Sequence, residues 1–390
     1  MLPRIVLKKD EDRRLRRGHL WVFSNEVEAV PQIEPGDLVH LYDQRGHFLG
    51  TGYANPHSLI LARLLTGKPK EQLGRDWWQE RLGEALSRRR RLFAHDHYRW
   101  VHGEGDSLPG LIVDRFGDTV AIQAHTAGIE RHLDTIVSAI KALIAPAAVI
   151  LQNDFAARDY EHLPRYARYA HGEGDGTVHA EENGLAFRCN ALSGQKTGYF
   201  FDQRPNRAFV AQQAAGRSVL DLFSYVGSFS VQALAAGANR VVSVDASEEA
   251  VAQTAHNVRA IGGEARWQGH CKDVMAELGA LFDAGERFDI VICDPPAFVK
   301  SRKQIKNGLT GYQKLNRMAA RLVAPGGLLC AASCSGLVDE ENFIRHVAMG
   351  IREAGRRGRI VQQGGAGADH PWLPAMPESR YLKFVTLQLD

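Results

Sequence analysis

Cysteine is scarce in this chain: five in 390 residues (Cys189, Cys271, Cys293, Cys330, Cys334), all in the second half and none in a Cys-x-x-Cys pair. An odd number at such spacing argues against a disulfide framework and against a structural zinc site. Cys189, Cys271 and Cys330 are expected to be small buried hydrophobes. No apolar run approaches the ~20 residues of a membrane span. The first residues, MLPRIVLKKDEDRRLRRGH, lack an apolar h-region and a small-residue cleavage site. A cytoplasmic protein without a membrane partner is therefore expected. The glycine fingerprint GxGxxG is missing too, which disfavours a nicotinamide oxidoreductase.

What is present suits a globular chain. Hydrophobic residues make up 44% and charged residues 24%, enough to bury real cores. The length predicts two or three domains. Net charge is only +3, but residues 1–100 carry 18 Lys and Arg against 13 Asp and Glu, and the remainder 30 against 32. The clusters Arg13, Arg14, Arg16, Arg17 and Arg88–Arg91 fit phosphate contacts; a solvated helix face accounts for them almost as well.

Residues 1–70 read as a small β-rich unit. Pro35-Gly36-Asp37 and Arg45-Gly46 mark turns around the alternating LVHLYD, and FLGTGYAN and SLILARLL supply further strands, as in a compact barrel or sandwich. Residues 72–184 predict a small α+β domain, with helices over 76–93 and 128–144 and a strand pair around Gly117-Asp118. From 185 to 390 strands and helices alternate, which predicts a doubly wound parallel α/β sheet. The last two strands, RIVQQGG and YLKFVTLQLD, flank a loop rather than a crossover helix, so an antiparallel addition to the sheet is expected.

In an open sheet of this kind the ligand lies beyond the carboxyl ends of the strands. The first strand runs into Asp221-Leu222-Phe223-Ser224-Tyr225-Val226-Gly227, where Gly227 lets the backbone approach a ligand. One glycine does not make a pyrophosphate nest; S-adenosylmethionine, which has no phosphates, does not need one. Asp245 ends the second strand, at the right distance to accept ribose hydroxyls. Asp273 follows the third, where a carboxylate can take the adenine amine. Asp294 ends the fourth in Asp294-Pro295-Pro296-Ala297-Phe298. Each alone could be a helix N-cap; four at successive strand ends point to a cofactor. The two prolines stiffen the loop, and Phe298 is expected to offer a stacking face for a base.

The next strand ends in Ser333-Cys334-Ser335-Gly336. Carbon 5 of cytosine is a poor nucleophile. A thiolate adding to carbon 6 makes it enamine-like and able to take a methyl group. Cys334 is the candidate thiolate and Asp294 the candidate proton partner for N3. Cys293 is the rival, but alternation along FDIVICD turns it away from the strand end.

Together these residues resemble the ribosomal large subunit methyltransferase I family. That resemblance implies a Rossmann-like class I methyltransferase domain, S-adenosylmethionine as cofactor, and cytosine-5 of 23S ribosomal RNA as target. Arg17-Gly18-His19-Leu20-Trp21-Val22-Phe23-Ser24 and Gly52-Tyr53-Ala54-Asn55-Pro56 look like the family's RNA-binding PUA module. NDFAARDYEHL looks like another of its segments, from the small α+β domain. Thr197-Gly198-Tyr199-Phe200-Phe201-Asp202-Gln203-Arg204 resembles the opening of its catalytic domain and places Tyr199 beside the cofactor. DLFSYVGSFS, DPPAFVKSRK and SCSG are similar as well, and by this resemblance Cys334 is the nucleophile. Ser228 stands where a glycine is often found. Paralogues with the same Asp-Pro-Pro loop methylate guanine without the cysteine, so a guanine target stays open, as does a non-catalytic RNA-binding factor. Lys300, Arg302 and Lys303, after Pro295, Pro296 and Phe298, are expected to meet flanking RNA phosphates; a solvated loop is the alternative. The oligomeric state is open, a homodimer included.

Overall fold

The computed structural model describes residues 2–70, 72–299 and 301–390. They form two compact units, Met1–Ala180 with Asn190–Phe201 and Ala368–Ser379, and Glu181–Cys189 with Asp202–Gly367 and Arg380–Asp390.

In the first unit β1 (Arg4–Val6), β2 (Trp21–Phe23), β3 (Asp37–Tyr42), β4 (Phe48–Ala54) and β5 (Ile60–Thr66) pair in the order β1-β3-β4-β5-β2, with helix α1 (Arg13–Arg16) between β1 and β2. The continuations of the outer strands meet: Lys8 N donates to Glu26 O at 2.8 Å and Glu28 N to Val6 O at 2.9 Å. The sheet thus closes on itself, as the turn spacing predicted. Ile5, Val22, Val39, Leu41 and Leu61 fill it.

Helix α2 (Arg75–Leu92), β6 (His97–His102), β7 (Leu111–Phe116), β8 (Thr119–Ala124), α3 (Ala127–Ile144), β9 (Ala148–Gln152) and β10 (Ala167–His171) follow, with the sheet ordered β10-β9-β8-β7-β6. The β7–β8 hairpin turns at Gly117-Asp118, and α3 carries the chain over to β9, parallel to β8. Barrel and sheet share a core through Tyr53, whose hydroxyl donates to Pro109 O at 2.7 Å and accepts from Thr126 Oγ1 at 2.8 Å. A Cβ at Gly128 would lie 2.1 Å from that ring, so α3 can start there only on a glycine.

The arginine clusters are largely paired within this unit. Arg14 pairs with Glu26, Arg16 with Asp12 and Asp43, and Arg13 with Asp10. Arg89 is 1% exposed and grips Asp106 with both nitrogens of its fork, at 2.5 and 2.6 Å. It also donates to the carbonyls of Arg99 at 2.9 Å and Asp369 at 2.8 Å. This removes Arg89 from the run expected to face phosphates. Arg90 and Arg91 remain exposed.

The division between the units falls on the hairpin β11 (Thr177–Glu182) and β12 (Leu185–Asn190). The second unit continues α4 (Arg204–Gln213), β13 (Ser218–Leu222), α5 (Ser228–Ala235), β14 (Arg240–Asp245), α6 (Glu248–Ala260), β15 (Trp267–Cys271) and α7 (Val274–Asp283). Then come β16 (Phe288–Cys293), α8 (Ile305–Leu322), β17 (Val323–Ser333), α9 (Glu340–Glu353), β18 (Gly358–Gly364) and β19 (Lys383–Leu389). The sheet order is β15-β14-β13-β16-β17-β19-β18. All neighbours from β15 to β17 are parallel, and β19 runs antiparallel to both β17 and β18, as expected of the two terminal strands. Strand order reverses between β13 and β16, so the ligand crevice is set at their carboxyl ends.

Candidate cofactor and active site

Register places the acidic residues. Leu222 pairs with both Val244 and Cys293, so Phe223, Asp245 and Asp294 stand one step further along, at the same height above the sheet. The intervening loop is unusual: Phe223 (φ 62°), Tyr225 (φ 49°) and Gly227 (φ 75°) are all left-handed. Side-chain residues in that region cost about 1–3 kcal/mol each and persist where surroundings hold them. Here Asp245 does so, accepting from Tyr225 N at 2.9 Å and Ser247 N at 3.0 Å. Gly227 also has a packing reason to lack a side chain, since a Cβ would lie 2.4 Å from the Thr254 methyl of α6.

Asp221 lies beneath this loop. It is 1% exposed and accepts from Ser230 N at 3.2 Å and Ser230 Oγ at 2.6 Å, and Ser230 Oγ in turn meets Ser243 Oγ at 2.7 Å. Burial pushes its carboxyl up to about 7; Asp294 and Asp245 add to the rise and Ser230 opposes it. Asp273 is exposed and caps α7, accepting from Ala276 N at 2.9 Å, which leaves lone pairs for an amine. The buried Ser224 hydroxyl in the loop has no partner among the described residues. A polar atom left so, among acceptor carboxylates at strand ends, fits a ligand bearing hydroxyls and an amine. The adenosyl part of S-adenosylmethionine is such a ligand.

Asp294 is half-buried and accepts from Gln203 Nε2 at 3.0 Å, while Asn206 Nδ2 donates to Gln203 Oε1 at 2.6 Å and to Gly365 O at 3.1 Å. Gln203 and Asn206 carry no motif of their own that spacing would single out. Pro295 is buried and Pro296 exposed. Phe298 is partly buried: its ring lies 4.7 Å from that of Tyr312 and packs against the core, so one side is covered by protein. Arg302 and Lys303 are exposed in a short turn before α8 and make no ion pair among the described residues. Lys300 lies outside the described residues. Tyr199 belongs to the first unit, where it is fully buried and edge-on to Phe201 at 5.0 Å.

The cysteines separate by burial. Cys189, Cys293 and Cys330 are buried and Cys334 is partly exposed. Burial pushes the Cys293 thiol far up and Cys330 to about 12, so neither ionises at neutral pH. Cys293 faces the core, as alternation predicted. Cys271, expected to be buried, is exposed, because it ends the outermost strand of the sheet. The turn carrying Cys334 is pinned on several sides. Tyr312 joins the hydroxyls of Ser333 and Ser335 at 2.9 Å each, and Lys383 Nζ donates to Ser335 O at 2.6 Å. Val299 N, just past the Asp-Pro-Pro loop, donates to Ser335 Oγ at 3.3 Å. The cysteine turn and the Asp294 loop are therefore tied together.

Strand order, an antiparallel terminal strand and acidic strand ends define the class: an S-adenosylmethionine-dependent methyltransferase. A family model for S-adenosylmethionine-dependent methyltransferases matches residues 99–354, and one for a PUA-like domain matches residues 5–67. The chain is 37% identical to ribosomal RNA large subunit methyltransferase I of Alteromonas mediterranea, covering 100% of this chain and 99% of that protein. It is 35% identical to the protein of that name from Tolumonas auensis, over 100% of both. SMU.776, solved in complex with SAH, shares the fold at a TM-score of 0.87 and 23% identity, over 99% of this chain and 100% of that one. The chain belongs to the ribosomal RNA large subunit methyltransferase I family.

Proposed function

We propose that this chain methylates carbon 5 of a cytosine in large-subunit ribosomal RNA through a covalent adduct with Cys334. The observation that carries the reading is the placement of Cys334. Among the cysteines it is the one at the carboxyl end of a central strand that is not buried, and its turn is bonded to the Asp294 loop. Bound S-adenosylmethionine supplies an electrophilic methyl group. As thiolate, Cys334 forms a bond to carbon 6, the carbon 5–carbon 6 π pair shifts to activate carbon 5, and Asp294 supplies a proton at N3. After methylation, carbon 5 loses its proton to water, the carbon 5–carbon 6 double bond reforms, the thiolate leaves, and N3 returns its proton to Asp294. Gln203 orients the Asp294 carboxyl for this exchange. Pro295, Pro296, Arg302 and Lys303 form the substrate side, and the base must be splayed out to reach them. The relatives' name and the PUA-like domain support ribosomal RNA as partner.

Replacing Cys334 with Ala is expected to abolish methyl transfer and leave S-adenosylmethionine affinity, measured by calorimetry, within about twofold. Retained methylation overturns the nucleophile assignment. Nucleoside mass spectrometry of the methylated transcript must show 5-methylcytidine; methylguanosine would shift the target to guanine. No cofactor binding by the intact chain would make it an RNA-binding factor.

A further inference from the structure

Lys383 is 5% exposed, opens β19 and lies opposite Ser333, the last residue of β17. Its Nζ donates to Ser335 O at 2.6 Å and Tyr381 O at 2.7 Å, which fixes the ammonium beside the Ser333–Cys334–Ser335 turn. Among the described residues no carboxylate lies within ion-pair distance of it. A buried cation held only by carbonyls calls for an anion nearby. We propose that Lys383 is a positioning residue that holds Cys334 as its thiolate. This rests on the reading of Cys334 as nucleophile and names the group that readies it.

The surrounding groups agree. Burial pushes Lys383 down to about 8, and Cys334 is the leading influence drawing it back up, ahead of Asp339 and Glu340 at the start of α9; Arg380 opposes them. From α8 the Tyr312 hydroxyl bonds to Ser333 and Ser335 on either side of Cys334, but its pKa is raised by burial and it stays neutral. Lys383 is thus the cation that strand pairing with Ser333 and hydrogen bonding to Ser335 O set beside the turn carrying this thiol. On ionising, Cys334 gives its proton to water; Lys383 keeps its own and forms no bond to sulfur. Above pH 8 the pairing fades as the ammonium deprotonates.

The test is the pH profile of iodoacetamide alkylation of the full chain, resolved by peptide mass spectrometry, without RNA or cofactor. Cys334 in the unaltered chain should inflect below the ~8.5 of a free cysteine. Lys383→Met should slow its alkylation at pH 7 about tenfold, as a one-unit rise implies, with exposed Cys271 unchanged and Cys330 still protected. Lys383→Arg should restore the faster rate. An inflection at or above that of free cysteine in the unaltered chain overturns the proposal even where Lys383→Met does not fold. So do an unchanged Lys383→Met profile, or a Lys383→Arg chain as slow as Lys383→Met. The assay reads the thiol alone. A Cys334→Ala chain that still methylates would end the nucleophile reading without altering the alkylation result.

Discussion

Gly227 and Asp221 show two different demands on single residues beneath the same loop. At Gly227 an alanine meets both a left-handed backbone and the Thr254 methyl. Gly227→Ala should cost about 1–3 kcal/mol in urea unfolding and weaken cofactor binding. Asp221 titrates near 7 in the fold, against ~3.9 for an unfolded aspartate, so the fold keeps a proton that the unfolded chain releases. Its contribution to stability is full below about pH 4, declines between pH 4 and 7, and is constant above. Asp221→Asn should remove that decline, gaining on the parent by roughly 3 kcal/mol between pH 4.5 and 8; equal pH slopes in the two chains would refute it. The acidic residues were legible in the sequence because each sits at the end of a recognisable strand. The uses to which they are put were not. Asp221 is buried because Ser230 and Ser243 close over it, and those hydroxyls signal nothing in a linear reading.

Secondary elements were legible wherever periodicity and turn residues agreed. The alternation of strands and helices predicted the parallel sheet, and the terminal loop predicted antiparallel β19. Partnering between elements was hidden. The run Arg88–Arg91 resembles a phosphate contact until α2 is set on its sheet and Arg89 turns inward to Asp106. Arg89→Met leaves Asp106 buried with fewer partners and should destabilise the first unit by about 3–5 kcal/mol in denaturant unfolding. Phe298 illustrates the same gap: a glycine at position 311 on α8 makes room for its ring, 3.1 Å from where a Cβ would stand. Lys383 was equally invisible, an ordinary lysine in a strand until pairing sets it opposite Ser333, next to the turn that carries Cys334.

At the scale of the whole chain, a PUA-like front and a methyltransferase fold imply that RNA affinity and chemistry are separable measurements. In the two arginine clusters, Arg17, Arg90 and Arg91 are exposed and make no ion pair among the described residues, so they are the cluster members expected to meet phosphates. Replacing all three with Gln should flatten the dependence of RNA affinity on salt by up to about three counterions, with S-adenosylmethionine affinity unchanged; an unchanged slope would place the RNA elsewhere. The first unit also draws in Asn190–Phe201 and Ala368–Ser379, and Arg99 N donates to Asp369 Oδ2 at 3.0 Å from the far end of the sequence. A chain still being synthesised therefore cannot complete its front portion when that portion emerges. Arg89 waits for a carbonyl made 280 residues later. Domains usually mature in order from the N-terminus during translation; here the front must stay unfinished until Asp369 has been made, so a product terminated before that residue lacks a sealed first unit as well as a complete second one.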